Sequence, residues 1–167
     1  MKRISLNKQF ITAHGFTLIE LIFIVMIFGI IAINVVPLWT STAIGLDVEA
    51  RRILQDIRYV QALSVTTGER YRWVMLSSSS YAITNEAGSA IVLPSGGTTL
   101  TLTNGVTIGS LSNLPNNLIA FNSQGIPYID SSIPGTALSA TAGIPVTLGG
   151  QTRTISIAPQ TGYGVLS

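Results

Sequence analysis

The sequence predicts an α+β chain: one long N-terminal α-helix packed against an antiparallel β-sheet head. Three observations predict it. An apolar run with a single charge spans Phe16 to Val36, apolar residues at helical spacing follow as far as Leu63, and from Arg70 the alternation switches to period two.

The first element is the run FTLIELIFIVMIFGIIAINVV, in which Glu20 is the one charged residue. At ~1.5 Å rise per residue, a helix of this length crosses a hydrocarbon core of ~30 Å. Composition agrees, since only 10% of residues are charged and the mean hydropathy is +0.51, both unusual for a soluble cytosolic domain. The formal charge of +2 is misleading about partners, because Lys2, Arg3 and Lys8 all precede Phe16. The rest of the chain holds six arginines against seven acids, a net of −1. Basic residues ahead of an apolar span hold the N-terminus in the cytoplasm and send the remainder outward, a single pass with an extracytoplasmic head. Cysteine is absent, which removes disulfides and thiolate chemistry and leaves the compartment open.

In a secretory signal the apolar region comes first and a small-residue cleavage site follows. Here Gly15 precedes the apolar run, so a cut there removes basic residues 1–15 and leaves the helix on the mature chain. Gly15-Phe16-Thr17-Leu18-Ile19-Glu20 and the span after it resemble the type IV prepilin motif shared by pilins and type II secretion pseudopilins. The resemblance implies a pilin-like fold, cleavage between Gly15 and Phe16 by a prepilin peptidase, and N-methylation of Phe16. It also implies residence in a bacterial inner membrane before assembly with other pilin or pseudopilin subunits into a fibre. The leader, at 15 residues, is longer than many in the family.

A carboxylate at the centre of a membrane helix costs ~2–3 kcal/mol, less near an end, so Glu20 needs a partner. After cleavage the amine of Phe16 lies about one turn away. The resemblance implies that Glu20 neutralises the amine of a neighbouring subunit; the plainer reading is a tolerated interfacial acid.

The second part of the helix, 37–67, is amphipathic. Leu46, Ala50, Ile53, Ile57, Val60 and Leu63 form an apolar stripe, with Asp47, Glu49, Arg51, Arg52, Asp56 and Arg58 opposite it on a solvated or subunit-facing side. Asp47 and Arg51 stand at the i,i+4 spacing of an ion pair, and Gly68 is the expected C-terminal stop. Pro37 removes an amide donor, so a kink is expected there, with Gly29 and Gly45 as weaker points. The resemblance implies local melting at Pro37 in assembled filaments.

The third part, 68–167, reads as strands. Tyr71, Trp73 and Met75 alternate with Arg72, Val74 and Leu76. Leu100, Leu102, Val106 and Ile108 share a face if Thr103-Asn104-Gly105 is a three-residue hairpin loop with Gly105 left-handed. A second strand pair turns at Gly149-Gly150, joining 144–148 to 152–158, and 118–122 and 163–166 read as short strands. Residues 131–143, rich in Ser, Ala, Thr, Gly and Pro, read as an exposed loop and a poor place for chemistry. The stretches LIAFNSQGIPYI and RTISIAPQTGYG also resemble the heads of FimT/GspH-like minor pilins and pseudopilins.

Enzymatic readings lack parts. The single histidine, His14, is in the leader, and the acids after residue 68 are Glu69, Glu86 and Asp130, too scattered for a calcium cage or a catalytic carboxylate pair. No metal, cofactor or small-molecule substrate is expected. DNA is the one macromolecular ligand to weigh, because phosphate contacts need clustered Arg or Lys. The candidates are Arg70, Arg72 and Arg153, with Tyr71 and Trp73 interleaved. Positions where the family often has arginine are neutral here, in Gln124-Gly125-Ile126 and Thr161-Gly162-Tyr163. The pattern favours core aromatics and a solvated arginine face over DNA contact. The function expected is therefore structural: a minor pilin or pseudopilin, in a type IV pilus or, as the H-like subunit, in a type II secretion fibre, with a DNA-binding minor pilin as the alternative of another class.

Overall fold

A computed structural model describes residues 17–93 and 96–167, with the backbone alone for 32–42. Two compact units divide the chain, one ending at Trp39 and the other running Thr40–Ser167.

Helix α1 is Leu18–Thr67. In the first unit its residues through Ile31 are all exposed, and all but Glu20 and Gly29 are apolar. The expected leader with Gly15, and Phe16, lie outside the described residues, as does the side chain of Pro37, while α1 is helical through position 37. Among the described residues no helix is long and apolar enough to cross a membrane.

In the second unit the helix buries Leu46, Ala50, Ile53, Leu54, Ile57 and Val60. The expected stripe fails at its last member. Ser64 is buried and Leu63 only half so, because spacings of four and three must alternate to hold a 3.6-residue period, and two threes in succession rotate Leu63 off the face. The Ser64 hydroxyl donates to Val60 O (3.0 Å) and accepts the Tyr71 N–H (3.1 Å), which seats the first strand against the helix end. Gly68, at φ 77°, stops the helix and donates its N–H to Ser64 O.

Among the described residues nine strands follow: β1 Tyr71–Ser77, β2 Ser80–Thr84, β3 Thr99–Thr101, β4 Thr107–Ile108, β5 Leu118–Phe121, β6 Pro127–Tyr128, β7 Ala142–Leu148, β8 Gln151–Ile157 and β9 Gly164–Leu166. They form two antiparallel sheets, ordered β3-β2-β1-β5-β6 and β4-β7-β8-β9. The β7–β8 hairpin turns at Gly149-Gly150 as expected, with Leu148 opposite Gln151 and both glycines at positive φ.

The hairpin expected between 100 and 108 is not one. Leu100, Leu102, Val106 and Ile108 are all buried and Gly105 is left-handed (φ 75°), but β3 pairs with β2 while β4 pairs with β7. Asn104 is left-handed too, and the Val106 N–H donates to Thr103 O, so the turn has two central residues rather than three. Its flanks are drawn apart: the Leu102 N–H donates to Ser79 O and the Ile108 N–H to Ser78 O, and the chain passes from one sheet to the other. Trp73, Tyr81, Phe121, Ile83, Ile119, Ile144, Ile155 and Ile157 join the helical stripe in one continuous core.

Candidate assembly site

Thr17 and Glu20 define the start of α1. The Glu20 N–H donates to the Thr17 hydroxyl (3.4 Å) and the Leu21 N–H to Thr17 O (3.2 Å), so Thr17 is the N-cap. Thr17-x-x-Glu20 is the spacing of a capping box, a signal present in the sequence and passed over there in favour of the acid's charge. Glu20 is exposed, among Leu18, Ile19, Leu21 and Phe23, each more than half exposed. A helix apolar on every side has no solvated face.

In the second unit the helical side expected to be solvated or subunit-facing is partly a polar seam within the head. Glu49 is only 5% exposed; it accepts the Thr103 hydroxyl (2.5 Å) and lies 3.7 Å from Arg52. Asp56 accepts the Tyr81 hydroxyl at 2.6 Å. Burial raises the Asp56 carboxyl above its ordinary range, with Tyr81 and Arg52 pulling the other way, and burial and Asp56 raise the Tyr81 phenol. The Asp47–Arg51 pair forms as its spacing predicts, at 2.6 Å.

Arg70 and Arg72, expected on a solvated face, are buried at 7% and 8% exposure. The Arg70 guanidinium stacks on Tyr128 (4.2 Å) and donates to Ser132 O and Pro134 O, and Arg72 donates to Glu86 O (2.5 Å) and Ser131 O (3.3 Å). Burial, then Arg70, lowers the Arg72 guanidinium, partly offset by Glu86. Asp130 closes the same loop by accepting the N–H groups of Ser132 and Thr136; these bonds, Thr136 foremost, hold its carboxyl below the usual range. The exposed loop is thus folded onto two arginines whose N–H groups serve main-chain carbonyls. Arg153 stays exposed, 3.8 Å from Asp47 and apart from that pair. Trp73 is core. The three arginines make no common basic patch.

Gln61 was not singled out by the sequence. Its side-chain N–H group donates to Gly125 O and Thr161 O, both 2.8 Å, and so joins the turns at Gly125 and Thr161. A Cβ on Gly162 would meet Gln61 Nε2 at 2.6 Å, Phe121 Cε1 at 2.7 Å and Gly125 O at 2.9 Å. The two neutral turns therefore adjoin, with Tyr163 exposed beside them. Among the described residues no group of three or more His, Cys, Asp or Glu could hold a metal ion.

A single long helix that buries its amphipathic stretch against a head of two antiparallel sheets has the type IV pilin-like fold. Two crystal forms of the type IV minor pilin FimU from Pseudomonas aeruginosa strain PAO1 are similar to this chain in structure. One gives a TM-score of 0.51, covering 73% of this chain and 87% of that one, and the other 0.50, covering 73% and 92%, both at 17% identity. At that identity the likeness is one of fold. No protein-family model matches the sequence, and no curated protein matches it significantly.

Proposed function

We propose that this chain is a minor pilin: a subunit held in the inner membrane by residues 16–36, cleaved between Gly15 and Phe16 by prepilin peptidase, methylated on Phe16, and assembled with other pilin subunits into a type IV pilus. The observation that carries the reading is the stretch from Leu18 to Ile31, exposed throughout and apolar but for Glu20 and Gly29, on a chain whose head already has a complete core of its own. Such a stretch is covered by lipid before assembly and by neighbouring helices after it. Glu20, one turn from the new amine, is the acid that balances it between subunits. The likeness in fold to the minor pilin FimU supports a fibre-subunit role. For DNA, the burial of Arg70 and Arg72 removes two of three candidate contacts.

Intact-mass analysis of the chain from a host with and without active prepilin peptidase tests this. The expected product lacks residues 1–15, carries one methyl group and appears in the sheared fibre fraction. A chain that keeps its first 15 residues in the presence of the peptidase overturns the reading.

A further inference from the structure

We propose that the head carries two complementary patches by which one copy of the chain docks on another; this deepens the reading of the chain as a fibre subunit. The first patch surrounds the Gln61 clamp. Arg58 donates to Gly164 O (2.9 Å) and lies over the Tyr163 ring, 5.8 Å from its centroid. Tyr163 is itself 61% exposed, with Val165 two residues on along β9 and Val65 one helical turn beyond Gln61, both about half exposed. An arginine held against an exposed tyrosine, flanked by valines, has the composition of an interface hot spot. Arg58 takes no part in an ion pair among the described residues.

The second patch is a shallow cavity of about 490 Å³ lined by Glu69, Asn85, Glu86, Ala87 and Ile133. Ile133 is 60% exposed on the loop that Arg70 pins. Both glutamates are exposed and, among the described residues, neither is in an ion pair. Their carboxylates are held in place, Glu69 by the Tyr71 hydroxyl (3.3 Å) and Glu86 by the Arg70 N–H (3.2 Å). One patch is a cation with an aromatic ring, the other a shallow, mainly polar cavity with two anions beside Ala87 and Ile133. The occupant that fits each is the other, on a second copy. No residue belongs to both patches, so a contact of one with the other joins unlike surfaces of the two copies. Contacts of that kind propagate instead of closing on themselves when the rotation does not close.

The absence of cysteine allows a direct test on the full chain in detergent micelles. A Val165→Cys copy mixed with an Ile133→Cys copy is expected to give a disulfide heterodimer at low salt, faster than Val165→Cys mixed with Val92→Cys as the control. Arg58→Gln, which keeps a donor for Gly164 O, should slow the cross-link about tenfold and Arg58→Glu further. Glu69→Arg with Glu86→Arg on the Ile133→Cys copy should restore it against Arg58→Glu. Circular dichroism checks that each variant is folded. A heterodimer no faster than the control, or one insensitive to these charges, overturns the docking proposal; leader cleavage and fibre incorporation are read separately and stand or fall without it.

Discussion

Tyr81 and Asp56 show how a single hydrogen bond ties helix to sheet. The carboxyl of Asp56 is raised by burial, and the Tyr81 hydroxyl at 2.6 Å opposes that rise. A group whose folded pKa exceeds its unfolded value contributes stability below the unfolded pKa, and that stability is lost as pH rises through the folded one. Tyr81→Phe removes the opposing bond and moves the folded value further up. Its cost should therefore be smaller at acid pH, as Asp56 takes up its proton, and should grow at neutral pH to about 1–3 kcal/mol, the penalty of an unsatisfied buried group. Urea denaturation of the full chain in micelles at both pH values measures this, and a cost independent of pH would exclude the mechanism. A second residue-scale test uses glycine. Gly162→Ala drives a Cβ into Gln61, Phe121 and Gly125 O, whereas Gly68→Ala meets nothing within 4 Å and bears only the strain of φ 77°. The first should cost about 2–4 kcal/mol and the second about 1 kcal/mol, read as shifts in the same denaturation midpoint.

At the scale of elements, the loop 130–136 owes its order to side chains far away in sequence. Arg70→Met keeps much of the apolar stem but leaves the Ser132 and Pro134 carbonyls without their donor. Amide hydrogen exchange across 130–136 is expected to accelerate at least tenfold while the β7–β8 hairpin is unchanged; equal protection in Arg70→Met and the wild type would mean that Asp130 and Arg72 suffice to fold the loop. That loop also marks the limit of what periodicity reveals. The helical stripe, the stop at Gly68 and the Gly149-Gly150 hairpin were legible because each depends on neighbours within a few residues. The fate of Arg70 and Arg72 was not, since composition between 131 and 143 records polarity and says nothing of which carbonyls turn inward. The expected hairpin at 103–105 failed for the same reason. Alternation identified four buried side chains correctly, but both sheets bury residues in one core, so a shared burial face did not establish shared pairing. At the site, Glu20 was legible as the lone acid and its capping partner Thr17 was overlooked. Gln61 carried no sequence signal at all, because its two acceptors are main-chain carbonyls 64 and 100 residues away.

At the scale of the whole molecule, the chain combines a head with its own core and a helical stretch without one. The core lies within Thr40–Ser167, whereas residues from Leu18 to Ile31 are exposed throughout. Stability and assembly should then separate by mutation. Ile57→Ala, in the buried stripe, is expected to destabilise the head by about 2–5 kcal/mol through a lost side chain and the cavity it leaves. Glu20→Gln removes one charge from an exposed position in the first turn of α1, outside the unit that holds the core. The head's denaturation midpoint should be unchanged in Glu20→Gln, and leader cleavage should persist because Gly15 and Phe16 are intact. Incorporation into the sheared fibre fraction should nevertheless fall at least tenfold, since the amine of the next subunit would enter an apolar bundle unbalanced. A Glu20→Asp chain, with the charge kept on a shorter arm, should recover part of the loss. Wild-type incorporation by Glu20→Gln would mean that the charge at this position is dispensable, and the electrostatic account of assembly would give way to packing alone.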